Sequence, residues 1–135
     1  MSAILIDSNV LLDVMTENAQ WAAWSATALA TAADTAHLVI NAIIYAEISV
    51  HFPRIEDLET ALPRTFIDRE PIPDAAAFLA GKAFLAYRRR GGTKSSPLPD
   101  FFIGAHPAVA GYRLLTRAPT RYRTTFPRLP LIAPP

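Results

Sequence analysis

Three apolar β-formers, Ile4-Leu5-Ile6, run straight into an acid, Asp7. A polar pair, Ser8-Asn9, follows, and then a second apolar run, Val10-Leu11-Leu12. A continuous apolar run of this kind marks a buried parallel strand, because both of its faces are covered. The pattern predicts a strand over 3–6, a helix over about 9–15, and a turn at Thr16-Glu17-Asn18. A second helix is expected over about 19–33, with Trp21, Trp24, Ala28 and Thr31 near one stripe. Leu38-Val39-Ile40 reads as a second short buried strand. Asn41 is a plausible N-cap for a helix over about 42–51, which must end before Pro53. A short helix over 55–62 is stopped by Pro63, and a third strand falls somewhere in 66–72, where Pro71 weakens the pattern. Asp74 is expected to cap a long helix to about residue 90, closed by Gly91-Gly92.

A polar, proline-containing loop over 93–98 leads to a helix over about 100–110, in which Pro107 predicts a kink or a new turn. Leu114-Leu115 and Leu131-Ile132 read as two last short strands. Strands alternating with helices imply a parallel sheet covered on both faces. The expected fold is a single α/β domain over 1–135, a three-layer α/β/α arrangement around a short-stranded, mainly parallel sheet. Such a sheet offers its ligands the edge formed by the carboxyl ends of its strands, which is where Asp7 falls.

Composition narrows the function classes. The chain is 51% hydrophobic, but no apolar run reaches the ~18 residues of a membrane span. No cationic region precedes the first apolar stretch, so no secretory signal is evident and a cytoplasmic location is expected. The absence of cysteine excludes disulfides and thiolate metal sites. A net charge of +1 argues neither for nor against nucleic acid, but its distribution is uneven. From Lys82 onward the chain carries Lys82, Arg88, Arg89, Arg90, Lys94, Arg113, Arg117, Arg121, Arg123 and Arg128, against the lone acid Asp100. Arg88-Arg89-Arg90 suits a helix C-terminus, and the later arginines could line a phosphate track.

Three acids stand where the pattern expects something else. Asp7 ends an apolar strand, although it could serve only as an N-cap. Glu47 shares a helical face with Ile44, Ile48 and His51, within a band that Ile43, Ala46 and Val50 extend. A carboxylate there costs free energy unless it is paired or bound to a metal. Asp100 follows Pro99, and a first-turn acid also meets the helix dipole favourably. Together, Asp7, Glu47 and Asp100 could form one cluster, which would repel itself unless a divalent cation neutralised it. All-oxygen ligands favour hard ions, Mg²⁺ or Mn²⁺. Asp13 is a weaker candidate, and Glu56, Asp57 and Glu59 read as a solvated helix face. His51 and His106 are more readily explained as structural than as ligands, and Trp21 and Trp24 as core.

At this point the residues resemble a known family. Ile6-Asp7-Ser8-Asn9, Tyr45-Ala46-Glu47-Ile48, the run from Pro99-Asp100-Phe101-Phe102 to His106, Leu114-Leu115-Thr116-Arg117, and the tail with Tyr122, Phe126-Pro127 and Leu131-Ile132 are similar to PIN-domain ribonucleases of the VapC toxin type. They occur in the family's order and span essentially the whole chain. The resemblance implies a Mg²⁺-dependent endoribonuclease acting on RNA, with tRNA or rRNA as target class, held inactive by a VapB-type antitoxin and commonly a homodimer. It maps Asp7, Glu47 and Asp100 onto the family's metal-binding acids, with Asn9 and Thr116 in supporting positions of the pocket. Arg117 and Arg121 are candidate contacts to RNA phosphates. One departure stands out. Where the family usually places a further acid or asparagine, this chain has Ala118, so the cluster falls from four ligands to three. A PIN-like module that binds antitoxin or RNA without cutting is therefore an open alternative. A hydrolase with an aspartate nucleophile is disfavoured, because Asn9 stands where it would need a general acid. A phospho-receiver is disfavoured too, since no lysine occurs after Lys94.

Overall fold

The computed structural model describes residues 2–95 and 98–135. Part of the predicted loop over 93–98 therefore lies outside the described residues. The chain runs β1 (Ala3–Ile6), α1 (Ser8–Met15), α2 (Ala22–Thr35), β2 (His37–Ile40), α3 (Ala42–Ser49), α4 (Ile55–Ala61), β3 (Asp68–Arg69), α5 (Asp74–Arg89), α6 (Pro99–Ala110), β4 (Arg113–Leu115), α7 (Thr120–Arg123) and β5 (Leu131–Ile132). Five strands form one sheet in the order β3-β2-β1-β4-β5, and every pairing is parallel. Helices flank this sheet, as the alternating pattern predicts.

Sequence and position in the sheet agree strand by strand. β1 is central, and all four of its residues are buried. Ile4 lies beside Leu38 of β2, and Leu5 beside Leu114 of β4, so apolar neighbours meet on both sides. The edge strands β3 and β5 are two residues each and less buried. From β1 the chain builds outward through β2 to β3, then crosses back to lay β4 on the other side of β1. The strand order thus reverses direction between β1 and β4. A crevice opens at such a switch point outside the carboxyl ends of the strands. Asp7 immediately follows β1, and Thr116 immediately follows β4.

Several local expectations shift. α2 begins three residues late, because Asn18 Oδ1 accepts from the backbone N–H groups of Gln20 and Trp21 at 3.0 and 2.9 Å and holds a turn there. Glu17, with φ +52°, reverses the chain before it. The buried stripe of α2 is Ser25, Leu29 and Ala32; Thr31 is exposed, Trp24 is half-buried against the core, and Trp21 is half-buried outside it. Asn41 caps α3 as expected, accepting from Ile44 N at 3.1 Å. Asp74 is the first helical residue rather than the cap, which is the extended Pro73. α6 runs through Pro107 without a break and ends at Gly111 in the left-handed conformation. α7, between Pro119 and Pro127, is not evident in the hydrophobic pattern; it is only one turn long.

Gly104 of α6 faces Phe126 and Tyr122, and a Cβ there would overlap the Phe126 ring and approach Tyr122 to 3.2 Å. Overpacking a core costs about 1–3 kcal/mol, against roughly 1 kcal/mol gained by replacing a helical glycine with alanine. Gly104→Ala is thus expected to destabilise the domain by up to about 2 kcal/mol in urea denaturation, and a raised midpoint would contradict this packing.

Candidate carboxylate site

Asp7 occupies the N-cap position of α1 with extended backbone, yet its side chain makes no capping hydrogen bond. Its carboxylate is turned elsewhere. Asp7 is 1% exposed, and its Oδ2 accepts from Tyr122 OH at 2.7 Å, Thr116 Oγ1 at 2.8 Å and Asn9 Nδ2 at 3.3 Å. Asn9 in turn accepts the Arg117 backbone N–H through Oδ1 at 3.2 Å. Thr116 Oγ1 accepts from Ala118 N at 3.1 Å. Asn9 and Thr116 therefore stand beside Asp7, as the motif resemblance implies.

The other two acids face the same place. Glu47 is half-buried on α3, and its Oε1 accepts from Ser8 Oγ at 2.8 Å. The apolar band around it is narrower than expected: Ile44 and Ile48 are buried, while Ala46, Val50 and His51 are exposed. Asp100, in the first turn of α6, has Oδ1 3.5 Å from the Tyr122 hydroxyl. That hydroxyl has one proton, and the 2.7 Å contact to Asp7 takes it.

Burial pushes the Glu47 carboxyl above its ordinary value of 4.5, and the negative charges of Asp7 and Asp100 push it the same way. Burial also raises Asp100 above 3.8, helped by Asp7 and opposed by Arg121. Burial, with the charges of Asp7 and Asp100, drives Tyr122 far above the ordinary phenol range, so its proton stays in place. Arg121, exposed on α7, opposes the upward shift at Glu47, Asp100 and Tyr122 alike.

Arg117 is placed differently from Arg121. Its Nε donates to Asp13 Oδ2 at 2.7 Å, and its guanidinium lies 5.7 Å from the Trp21 ring centre. Asp13 is 2% exposed and also accepts from Ser25 Oγ at 2.8 Å. The Arg117 Nε is thus committed within the fold. Arg113 opens β4, at the strand end away from Asp7, and lines a groove with Trp24 and Ile132. His106 is fully buried, with Nδ1 3.1 Å from Asn41 Nδ2 and Nε2 3.3 Å from Glu70 Oε1. Glu59 is no merely solvated face, since it holds Tyr45, Arg69 and Arg64 at 2.6, 3.2 and 3.3 Å.

Ser8 and Tyr122 complete the site and were not singled out by pattern. Ser8 had a visible signal, as one of two polar residues between apolar runs. Tyr122 had none beyond its place in the tail motif.

Oxygen donors of this kind suit a hard divalent cation, which commonly takes one or two carboxylates and completes its shell with water. Among the described residues no group of three His, Asp or Glu side chains stands close enough together to hold a metal ion. In chemistry, though not in spacing, the three acids suit an open, partly hydrated site.

Solved structures share this architecture. The chain is similar, over 98% of its length and 99% of the other chain, to VapBC2 from Rickettsia felis bound to a DNA fragment from its promoter, with a TM-score of 0.75 at 14% identity. It is similar to VapBC-1 from nontypeable Haemophilus influenzae, with a TM-score of 0.73 at 16% identity over 97% of each chain. It is also similar to a toxin–antitoxin complex from Klebsiella pneumoniae, with a TM-score of 0.67 at 19% identity over 96% and 95% of the chains. No protein-family model and no curated protein matches the sequence. At these identities the likeness establishes the fold, which is the PIN-type α/β fold of the VapBC structures.

A raised carboxyl pKa means that the folded chain holds its proton more tightly than the unfolded chain does. That contribution to stability is present below the ordinary value and lost as pH rises through the raised one. Glu47→Gln, which keeps an acceptor for Ser8, is therefore expected to raise the melting temperature in EDTA at pH 7 by about 2–5 °C. The gain should vanish as pH falls to about 4. A lower melting temperature at pH 7 would show that Glu47 is stabilised by its surroundings.

Proposed function

We propose that this chain is a VapC-type toxin: a Mg²⁺- or Mn²⁺-dependent endoribonuclease, cytoplasmic, restrained by a VapB-type antitoxin and active as a homodimer. One observation carries the reading. Glu47 on α3 and Asp100 on α6 both feel the charge of Asp7, which ends β1 at the point where the strand order reverses. Asp7, Glu47 and Asp100 would hold the cation. A bound divalent ion supplies a water of lowered pKa and offsets negative charge on a phosphodiester.

The protein's own groups do the rest. Asn9 and Thr116 hold the Asp7 carboxylate in a fixed orientation. Ser8 fixes one oxygen of Glu47 and leaves the other to the site. Arg121 is exposed and close enough to lower the cost of the carboxylate charges, which suits it to a flanking phosphate. The RNA substrate, of the tRNA or rRNA class, is part of the same proposal.

Ala118 supports a second reading, a PIN-like module that binds antitoxin or RNA with impaired cleavage. Its methyl group offers no ligand, and its backbone N–H is already taken by Thr116. Purified protein is expected to cleave RNA in Mg²⁺ and to stop in EDTA, with Asp100→Asn slower by about 100-fold or more. Equal cleavage by both proteins would refute the nuclease assignment. Ala118→Asp separates the two readings: a gain of about tenfold or more means that the three-acid site is impaired, and an unchanged rate means that three acids suffice.

A further inference from the structure

Every donor that reaches Asp7 among the described residues reaches the same oxygen. Tyr122 OH, Thr116 Oγ1 and Asn9 Nδ2 all bond to Oδ2, at 2.7, 2.8 and 3.3 Å. A carboxylate oxygen has room for about two to three such donors, so Oδ2 is saturated. Oδ1 is the oxygen of this carboxylate that no hydrogen-bond donor reaches among the described residues. The shortest of the three bonds comes from α7, which lies at the far end of the chain from β1. Tyr122 is itself fully buried, with its ring packed near Gly104. Its hydroxyl is therefore aimed by the core and not by solvent. The Tyr122 hydroxyl oxygen also stands 3.5 Å from Asp100 Oδ1.

We infer that Tyr122 is a positioning residue of the carboxylate site: it locks Asp7 through Oδ2 and leaves Oδ1 as the oxygen that would be available to a cation. Outer partners of this kind orient a ligating carboxylate, and their removal commonly lowers metal affinity 10–100-fold. The inference rests on the proposed metal site, and it adds to the three acids a residue that the hydrophobic pattern does not reveal.

Calorimetric titration of the full chain with MnCl₂ tests it, comparing wild type, Tyr122→Phe and Leu29→Ala. The phenylalanine keeps the ring and removes only the hydroxyl. Leu29 is a buried α2 residue outside the carboxylate site, so Leu29→Ala controls for lost stability. The expected result is Mn²⁺ binding weakened 10–100-fold in Tyr122→Phe and unchanged in Leu29→Ala. Should Tyr122→Phe not fold, Thr116→Val removes a second donor to the same oxygen and is expected to weaken binding in the same range. Wild-type affinity in folded Tyr122→Phe overturns the role of Tyr122, and wild-type affinity in Thr116→Val overturns the locking of Oδ2 on which that role rests; either leaves the metal site standing. Equal weakening in Leu29→Ala also overturns that role. A wild-type chain that binds no Mn²⁺ overturns both this inference and the metal site beneath it.

Discussion

One oxygen of one buried carboxylate ties the two ends of the chain together. Asp7 Oδ2 takes bonds from residues 2, 109 and 115 positions away in sequence. A carboxylate this deeply buried is strongly destabilising unless hydrogen-bond donors replace its water. Those donors exist only if β4 lies beside β1, so that Thr116 ends level with Asp7, and only if the chain then turns back to bring Tyr122 over the same point. Strand order, the short turn after β4 and the placement of α7 are thus coupled to a single polar group. The Asp7 backbone N–H reinforces this by donating to Leu115 O at 2.9 Å.

A second buried acid fixes the same turn from the other side. Asp13 and Arg117 form an ion pair at 2.7 Å, with Ser25 of α2 as a further donor. Burying such a pair seldom adds net stability compared with apolar packing, because both charges lose water. Its value lies in specificity, since an unpaired Asp13 would be costly in any other arrangement. With Arg117 held by α1 and α2, residues 118–120 have little freedom, and α7 starts where Arg121 can face the acids. Gly104 completes the arrangement by leaving room for the rings of Phe126 and Tyr122 against α6.

The sheet was legible because its central strands are short, wholly apolar and separated by helical periodicity. Asp7, Glu47 and Asp100 were legible because each contradicted its local pattern. What could not be read was which neighbour each polar group would find. Asp13 interrupts an apolar run and reads as a weaker candidate, but nothing in the pattern names Arg117 as its partner. Arg117 looked free for the same reason. Tyr122 reads as one more aromatic in a basic tail; only the pairing of β1 with β4 brings its hydroxyl to Asp7. The late start of α2 followed from the Asn18 side chain, a local hydrogen-bond competition that outweighs alanine's helix propensity.

Charge balance gives Ala118 a physical meaning beyond a missing ligand. Glu47 and Asp100 already sit in surroundings that resist their ionisation, and Arg121 is the cation that eases them. A fourth carboxylate beside Thr116 would deepen the repulsion and destabilise the chain without a bound cation. The same added charge would strengthen the pull on a divalent ion. Alanine at 118 therefore acts in opposite directions: it favours the empty fold and weakens the attraction that would fill the site. Proteins commonly hold a functional site at some expense of stability, and this chain carries less of that strain than a four-acid site would. On the nuclease reading, ion binding then depends more heavily on how well the three remaining carboxylates are aimed. That shifts the burden onto neutral donors such as Thr116, Asn9 and Tyr122, which orient charge without adding any.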